Sequence, residues 1–439
     1  MPKPSWSVYS EIARFFIPLS LTSLIIQLSH SVVNAGVART PNPEIALAAY
    51  ALAMSFVRLI ENPMFMVRQT VVSLVKNKQS LTEVSTFVFR MAALITLVLA
   101  LSGFTPLGHW LLTRVMGASN EIAQQAHLAL RVLFLLPFAA AIRNMYHGIA
   151  IMSRQTVLLP ASTALRLIVM SVVIFVLALG TELPGALSAS ISFVCAFIVE
   201  ALIMRWRARP LLLQGVFHGA RTRHNIDQRG IGRFFWPLML TTFVATAFGP
   251  LVNAGLARTV RPEVALAGFA VGHALGMLLM APLGMLHQCT LAFTKLGDRE
   301  SYRTTGRFVG GLVILAIIVL GTISFSPVGD WLLHNVMGLS GAVAEAALAV
   351  MQVMTLLPVF LGWREYLWGI LMQQRVTTLI GSAKALNLVV VIAVLVVLLT
   401  TGWSHPAAAG AWALVLGEFS ECLYIQQRYR KTSIYQQLQ

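Results

Sequence analysis

The stretch from residue 34 to 48, NAGVARTPNPEIALA, returns 219 positions later as NAGLARTVRPEVALA, with eleven of fifteen positions identical. The echo runs well beyond this block. Arg14, Phe15, Phe16 and Pro18 return as Arg233, Phe234, Phe235 and Pro237. After a two-residue slip, Trp110 to Leu112 returns as Trp331 to Leu333, and Leu136, Pro137 and Arg143 return as Leu357, Pro358 and Arg364. A duplication of this period confines the chain to two halves that fold alike. In an apolar chain it is the signature of a transporter built from two halves around a central site.

Apolarity is what places both halves in a bilayer. The chain is 57% hydrophobic and 11% charged, with a mean hydropathy of +0.77, which excludes a water-soluble domain. A helix needs about 20 apolar residues to cross the hydrocarbon core. Twelve such segments occur, at roughly 12–38, 44–75, 84–112, 122–150, 155–180, 184–208, 231–257, 263–294, 304–333, 342–372, 376–400 and 406–427. The expected fold is therefore all-α and polytopic, with twelve transmembrane helices in two pseudo-symmetric six-helix bundles. The expected boundaries are 1–208 for the first bundle, 209–230 for a linker and 231–439 for the second. Residues 1–10 lack the basic-then-apolar pattern of a cleaved signal peptide, so the first apolar segment is expected to serve as its own signal.

The formal charge of +16 is distributed as topology rather than as a nucleic-acid surface. One side of the predicted membrane carries Lys3, Arg14, Lys76, Lys78, Arg205 to Arg209, Arg221 to Arg233, Lys295 to Arg307 and Arg428 to Lys431, while the opposite loops hold Arg39, Arg114, Arg258 and Arg261. By the positive-inside rule both termini are cytoplasmic, in a plasma (inner) membrane protein. No DNA-binding motif accompanies the charge, so no nucleic-acid partner is expected.

Cys195, Cys289 and Cys422 are isolated, with neither disulfide nor zinc-ligand spacing. The chain has no GxxxxGK[ST], HExxH, GxSxG or acid-rich magnesium-diphosphate motif. It is therefore expected to be neither an enzyme nor an ATPase, and to hold no cofactor or metal. It would then run on an ion gradient, with a proton or sodium as the candidate coupling ion, on substrate gradients, or as a facilitator.

Charged and polar groups inside the apolar segments carry the functional signal, because a charge at the bilayer centre costs about 2.5–3.5 kcal/mol. Gln27, His30 and Asn34 fall on one face of the first segment, as interhelical hydrogen bonds or as a cavity wall. His30 is either a proton acceptor or a satisfied histidine. In the second segment Arg58, Glu61 and Arg68 share a face around Pro63, where Arg58 and Glu61 either pair or line a site. The second repeat has Met277, Met280 and His287 at those positions, so this charge is concentrated in one copy. Arg143 and Arg364 are symmetric, as gates, substrate contacts or clamps, and Arg364 is not expected to face its neighbour Glu365. Arg166 and Lys384 lie either deep or at the surface. Glu200 and Glu421 are expected to pair with Arg207 and Arg428. Asn253 mirrors Asn34. The summed interior is cationic, suited to phosphate or carboxylate through bidentate guanidinium contacts.

The block LAMSFVRLIENPMFMVRQTVVSLVKNK, residues 52–78, resembles the progressive-ankylosis family in Leu52, Ala53, Ser55, Arg58, Pro63, Met64, Arg68, Asn77 and Lys78. Thr22, Asn34, Gly36, the Phe15-to-Pro18 spacing, Gly417-Glu418 and Tyr429 to Lys431 fit the same pattern. That family lies within the exporter superfamily of the multidrug and toxin extrusion (MATE) fold. The resemblance implies efflux of pyrophosphate, nucleotide or polycarboxylate anions, with Arg58 and Arg68 at basic positions. Departures occur where Gln27 and His30 stand in place of acidic residues, and where Glu61 stands in place of a neutral one.

The resulting expectation is a monomeric secondary-active exporter of a small organic anion, working by alternating access between two bundles around a central cavity. Arg58, Arg68, Gln27, Asn34, Asn253, Arg143 and Arg364 would bind substrate, and His30 and Glu61 would couple protons. The alternatives are a proton- or sodium-coupled exporter of drugs or natural products, a phospholipid flippase, or a membrane-embedded enzyme or receptor acting on an anionic lipid. Pro18, Pro63, Pro137, Pro237, Pro282 and Pro358 are candidate flexing points or static kinks.

Overall fold

The computed structural model describes residues 5–37, 39–40, 42–116, 118–212, 226–256, 259, 261–295, 298–336, 341–401 and 405–430. All regular structure among them is helical. The first repeat supplies α1 (Ser5–Val37), α2 (Pro43–Glu61, continuing through a 3-10 turn at Asn62–Met66 into Val67–Leu74) and α3 (Lys78–Phe104). It continues with α4 (Asn120–Leu133 and Leu136–Met152), α5 (Leu158–Gly180) and α6 (Gly185–Leu211). The second supplies α7 (Gln228–Leu256), α8 (Pro262–Met280 and Leu286–Phe293, through Leu283–Met285), α9 (Arg299–Phe325), α10 (Gly341–Met354 and Leu357–Gln373), α11 (Thr377–Thr400) and α12 (Pro406–Arg430). Among the described residues nine helices are individually long and apolar enough to cross a membrane, or up to twelve if each bent pair is one span. The linker expected at 209–230 lies largely outside the described residues.

Local chemistry repeats with the sequence. The Ser80 amide donates to Asn77 Oδ1 at 2.8 Å while the Asn77 amide donates to Ser80 Oγ, closing a capping box at the start of α3. Asp298 accepts from the Ser301 amide at the start of α9 in the same way. The bends of α4 and α10, 46° and 43°, each have a proline one residue into the second arm, Pro137 and Pro358. The α8 bend of 49° follows Pro282, and Pro63 sits in the 3-10 turn of α2. The missing N–H and ring bulk of proline explain all four breaks. Pro18 and Pro237 lie within continuous helices.

Packing does not divide the chain at the linker. One compact unit comprises residues 1–20 and 236–439, the other residues 21–235. The packing boundaries fall inside α1 and α7 rather than at the expected 1–208 and 231–439. The reason is aromatic and reciprocal. In the first of these units Phe16 meets Phe308 edge-on, with ring centroids 5.8 Å apart, and in the other Phe235, the repeat mate of Phe16, meets Phe87 at 5.2 Å.

Each unit is organised on its last span. α6 packs on α2, both arms of α4, and α5, while α12 packs on α8, both arms of α10, and α11. In α6 and α12 61% of the apolar window is buried, against 17–44% for the other single spans. The inward faces of α6 and α12, which carry Glu200, Glu418 and Glu421, are thereby withdrawn from both lipid and water.

Candidate functional site

Glu200 on α6 is fully buried. Its Oε2 lies 2.8 Å from Arg143 Nε of α4 and 3.5 Å from Arg166 Nε of α5. Its Oε1 accepts from the Thr163 hydroxyl at 2.8 Å, with His147 Nε2 3.6 Å away. Arg166 Nη2 donates to Ser29 Oγ of α1 at 3.1 Å. Both guanidinium groups stand over the Phe197 ring, one turn before Glu200. The cluster also reaches the break in α2. Asn144 accepts from Arg143 Nη1 and donates its Nδ2 to the Met64 carbonyl at 2.8 Å, a second bond to an acceptor that already takes the Val67 amide in the 3-10 turn.

In the other unit, Glu418 and Glu421 on α12 share Lys384 of α11, whose Nζ is 3.0 Å from each. Asn387 donates to both carboxylates, and Trp368 Nε1 donates to Glu421 Oε1 at 3.0 Å. Arg364 of α10 donates Nη1 to Glu418 and Nη2 to Glu365 at 2.7 Å. Glu365 is also paired with His287 of α8, whose Nε2 meets Gln288 Nε2 at 2.8 Å. This cluster too ties a broken helix to the central one.

The clusters are the same positions of the repeat. A shift of 221 superposes Arg143 on Arg364 and Glu200 on Glu421, and 219 superposes Arg68 on His287. Around the retained pair the chemistry is exchanged. Asn144, His147, Thr163, Arg166 and Phe197 become Glu365, Trp368, Lys384, Asn387 and Glu418. In the first repeat Arg143 and Arg166 face the one carboxylate Glu200, whereas in the second Arg364 and Lys384 face Glu365, Glu418 and Glu421. Buried ion pairs hold only while each charge keeps a partner, so the surplus sign of each cluster sets what a further ligand there would carry.

Glu200 and Glu421 are thus partnered inside their bundles rather than by Arg207 and Arg428, which stand over Trp206 and Tyr424. Their positions on the central helices turn them inward. Arg166 and Lys384 are buried rather than snorkelling. Arg364 does reach its chain neighbour Glu365, because a long guanidinium can curl back where a short side chain cannot. Glu61 is buried, and the charges acting on it most strongly are Arg143 and Arg58. Arg58 is exposed and Arg68 half-buried, with the Arg68 charge acting on His147. Arg58, Glu61, Arg68 and Arg143 therefore belong to one neighbourhood, while Arg364 belongs to the other unit. Asn253 is exposed. The side chains of Gln27, His30 and Asn34 lie outside the described residues.

Sequence reasoning missed His147, Thr163 and Trp368 as cluster members. It also assigned Glu418 no role beyond the family resemblance. The available signal was Glu418 and Glu421 at i and i+3 in an apolar span, two carboxylates on one face that must find cations.

The sequence profile of the Progressive ankylosis protein (ANKH) family matches residues 1–205. Among solved structures, a mutant of the Vibrio cholerae MATE transporter VcmN is similar at a TM-score of 0.80 and 17% identity, over 98% of this chain and 99% of that one. The eukaryotic MATE transporter AtDTX14 gives 0.73 and 13%, over 99% and 98%. A Pyrococcus furiosus MOP superfamily transporter, described as having a binding pocket of reverse polarity, gives 0.72 and 15%, over 97% and 96%. At these identities the structures establish a common fold. Residues 1–205 thus resemble progressive ankylosis protein, as the block from Leu52 to Lys78 suggested, on a helical fold shared with MATE transporters of the MOP superfamily.

Proposed function

We propose that the protein is a secondary-active exporter of a small organic anion, of the pyrophosphate, nucleotide or polycarboxylate class, working by alternating access. The observation that carries this reading is the surplus of positive charge in the first repeat. There Arg58, Arg68, Arg143 and Arg166 gather against Glu61 and Glu200, while the equivalent positions of the second repeat hold Met277, His287, Arg364 and Asn387 against Met280 and Glu421. The family profile matches this repeat, and the pocket of reverse polarity described for the Pyrococcus furiosus relative is a precedent for altered charge on this fold.

In this reading Arg58 and Arg68, which retain exposed surface, contact the substrate. Arg143 is shared between substrate and Glu200, and Gln27, Asn34 and Asn253 add neutral hydrogen bonds. Arg364, committed to two carboxylates, acts on substrate only through the cluster that it holds. Glu61 and His30 are the coupling groups. The protein works as a monomer in the plasma (inner) membrane with cytoplasmic termini.

The test is uptake of labelled pyrophosphate, ATP and citrate into inside-out vesicles, with and without a pH gradient. Loss of one charge-assisted contact, about 1.5–3 kcal/mol, predicts at least a tenfold fall in apparent affinity for Arg58→Ala and for Arg68→Ala. Unchanged uptake in both variants would remove the anion site.

A second reading is favoured by the second repeat, where three buried carboxylates gather around Arg364, Lys384 and His287. It is a proton- or sodium-coupled exporter of cationic drugs. Transport of a cationic dye that survives loss of Arg58 and Arg68 and fails in Glu61→Gln would select it.

A further inference from the structure

A groove of about 530 Å³ opens on the unit formed by residues 1–20 and 236–439, between α9, α10 and α12. Beside it lies a smaller void of about 180 Å³ whose lining shares Arg299, Tyr302, Tyr366, Leu367 and Gln426. Together these fall in the size range of ligand sites. One end is cationic, with the exposed Arg299 and Arg303 one turn apart on the first turns of α9. From there the floor runs along Gly306 and Gly310 toward Val309 and Val313. A Cβ added at Gly310 would meet nothing within 4 Å, and one added at Gly306 would lie 3.6 Å from the Tyr366 ring.

The walls are held in place. The Tyr302 hydroxyl donates to Gln373 Oε1 at 2.9 Å, and the Tyr366 hydroxyl donates to the Tyr302 carbonyl at 3.0 Å. The helix that bears the groove is also the least buried span, with 17% of its apolar window inside the fold. The groove therefore opens where hydrocarbon would lie beside it.

The first repeat has not kept this feature. A shift of 221 places Thr82, Ser85, Phe89 and Arg90 at Arg303, Gly306, Gly310 and Gly311, and Ile142 and Met145 at Trp363 and Tyr366. Where one copy fills the surface with phenylalanine, the other removes the side chain, adds a second arginine and lines the wall with tryptophan and tyrosine. Those aromatic residues are the ones enriched at the membrane–water boundary.

We propose that this groove is a binding site for an anionic phospholipid, with its phosphate on Arg299 and Arg303 and one acyl chain along Gly306 and Gly310. The cationic end lies on the arginine- and lysine-rich side of the chain, the side that faces the anionic leaflet under the positive-inside rule. Trp363 and Tyr366 pack against the glycerol region. The site is separate from the transport reading and does not depend on it.

The experiment is native mass spectrometry of the full chain released from detergent micelles. Micelles contain phosphatidylglycerol, phosphatidylcholine of the same acyl chains, or detergent with glycerol 3-phosphate. The protein is expected to retain phosphatidylglycerol in preference to phosphatidylcholine, and glycerol 3-phosphate should not displace it. An arginine near a charged lipid surface contributes about fivefold in affinity, so Arg299→Gln with Arg303→Gln should weaken phosphatidylglycerol retention about thirtyfold and weaken that of phosphatidylcholine, whose phosphate is compensated by its own choline, by much less, abolishing the preference. Gly310→Phe, which copies the first repeat, should reduce retention of both lipids. The single exposed variant Arg303→Gln, expected to fold normally, should alone lower retention about fivefold. Equal retention of the two lipids, no effect of the arginine variants, or displacement by glycerol 3-phosphate would overturn the proposal.

Discussion

At the scale of single residues, each unit depends on matching buried charge to buried charge. Glu200 holds Arg143 and Arg166 in the first repeat, and no other carboxylate lies within ion-pair distance of either among the described residues. Glu200→Gln should therefore destabilise the protein by about 3–5 kcal/mol, because two guanidinium groups stay buried without their counter-charge. Glu421→Gln should cost less than about 2 kcal/mol. Lys384 keeps Glu418 at 3.0 Å, so its charge stays paired when Glu421 is neutralised. Thermal unfolding of the two variants in detergent checks the ranking, and equal losses would mean that the clusters are not charged as described. Arg143 was legible in the sequence as the symmetry mate of Arg364; the pairing of Arg143 and Arg166 with Glu200 was not, because Glu200 lies 57 and 34 residues away on a helix whose rotation only packing decides.

At the scale of elements, the repeat preserves backbone solutions as well as side chains. Arg154 and Arg375, mates by the 221 shift, close α4 and α10 with φ of 56° and 61°. For a non-glycine residue the left-handed region costs roughly 1–2 kcal/mol. Arg154→Gly should leave the melting temperature unchanged or raised, whereas β-branched Arg154→Val should lower it. The same order is expected at 375, and tolerance of valine at either position would show that the turn is not left-handed. Gly108 and Gly329 are a second pair. A Cβ there would lie 1.7 Å from the Ser102 carbonyl oxygen and 2.3 Å from that of Ile323, so no side chain fits at either turn. The sequence offered six prolines alike as flexing points or static kinks, and four of them, Pro63, Pro137, Pro282 and Pro358, stand at helix breaks. The equal-looking Pro18 and Pro237 leave their helices continuous.

At the scale of the whole molecule, the distribution of charge makes a topological prediction. In a cysteine-free background, an impermeant maleimide added to intact cells should label Arg39→Cys. It should reach Arg299→Cys only after permeabilisation, since both positions are exposed and lie on opposite sides under the positive-inside rule. Labelling of Arg299→Cys in intact cells would invert the orientation. The compact units are not the two repeats: Phe16 and Phe235 are buried on aromatic partners of the opposite repeat, and so each unit takes in the opening of the other repeat's first helix.

The sequence by itself determined the helical class, the twelve apolar segments, the two-fold repeat and a family resemblance, which it extended to the C-terminal helix and which the family profile carries over residues 1–205. These are properties of composition and period, which survive without knowledge of any contact. Tertiary structure alone decided that α6 and α12 are the central helices, that Glu200, Glu418 and Glu421 turn inward on them, and that the packing units cut through α1 and α7. It also separated Arg364, locked between two carboxylates, from the exposed Arg58. The physical reason is that an apolar helix presents lipid and protein with nearly the same surface. Periodicity therefore cannot say which face is buried, and only the pairing of charges across helices makes that choice.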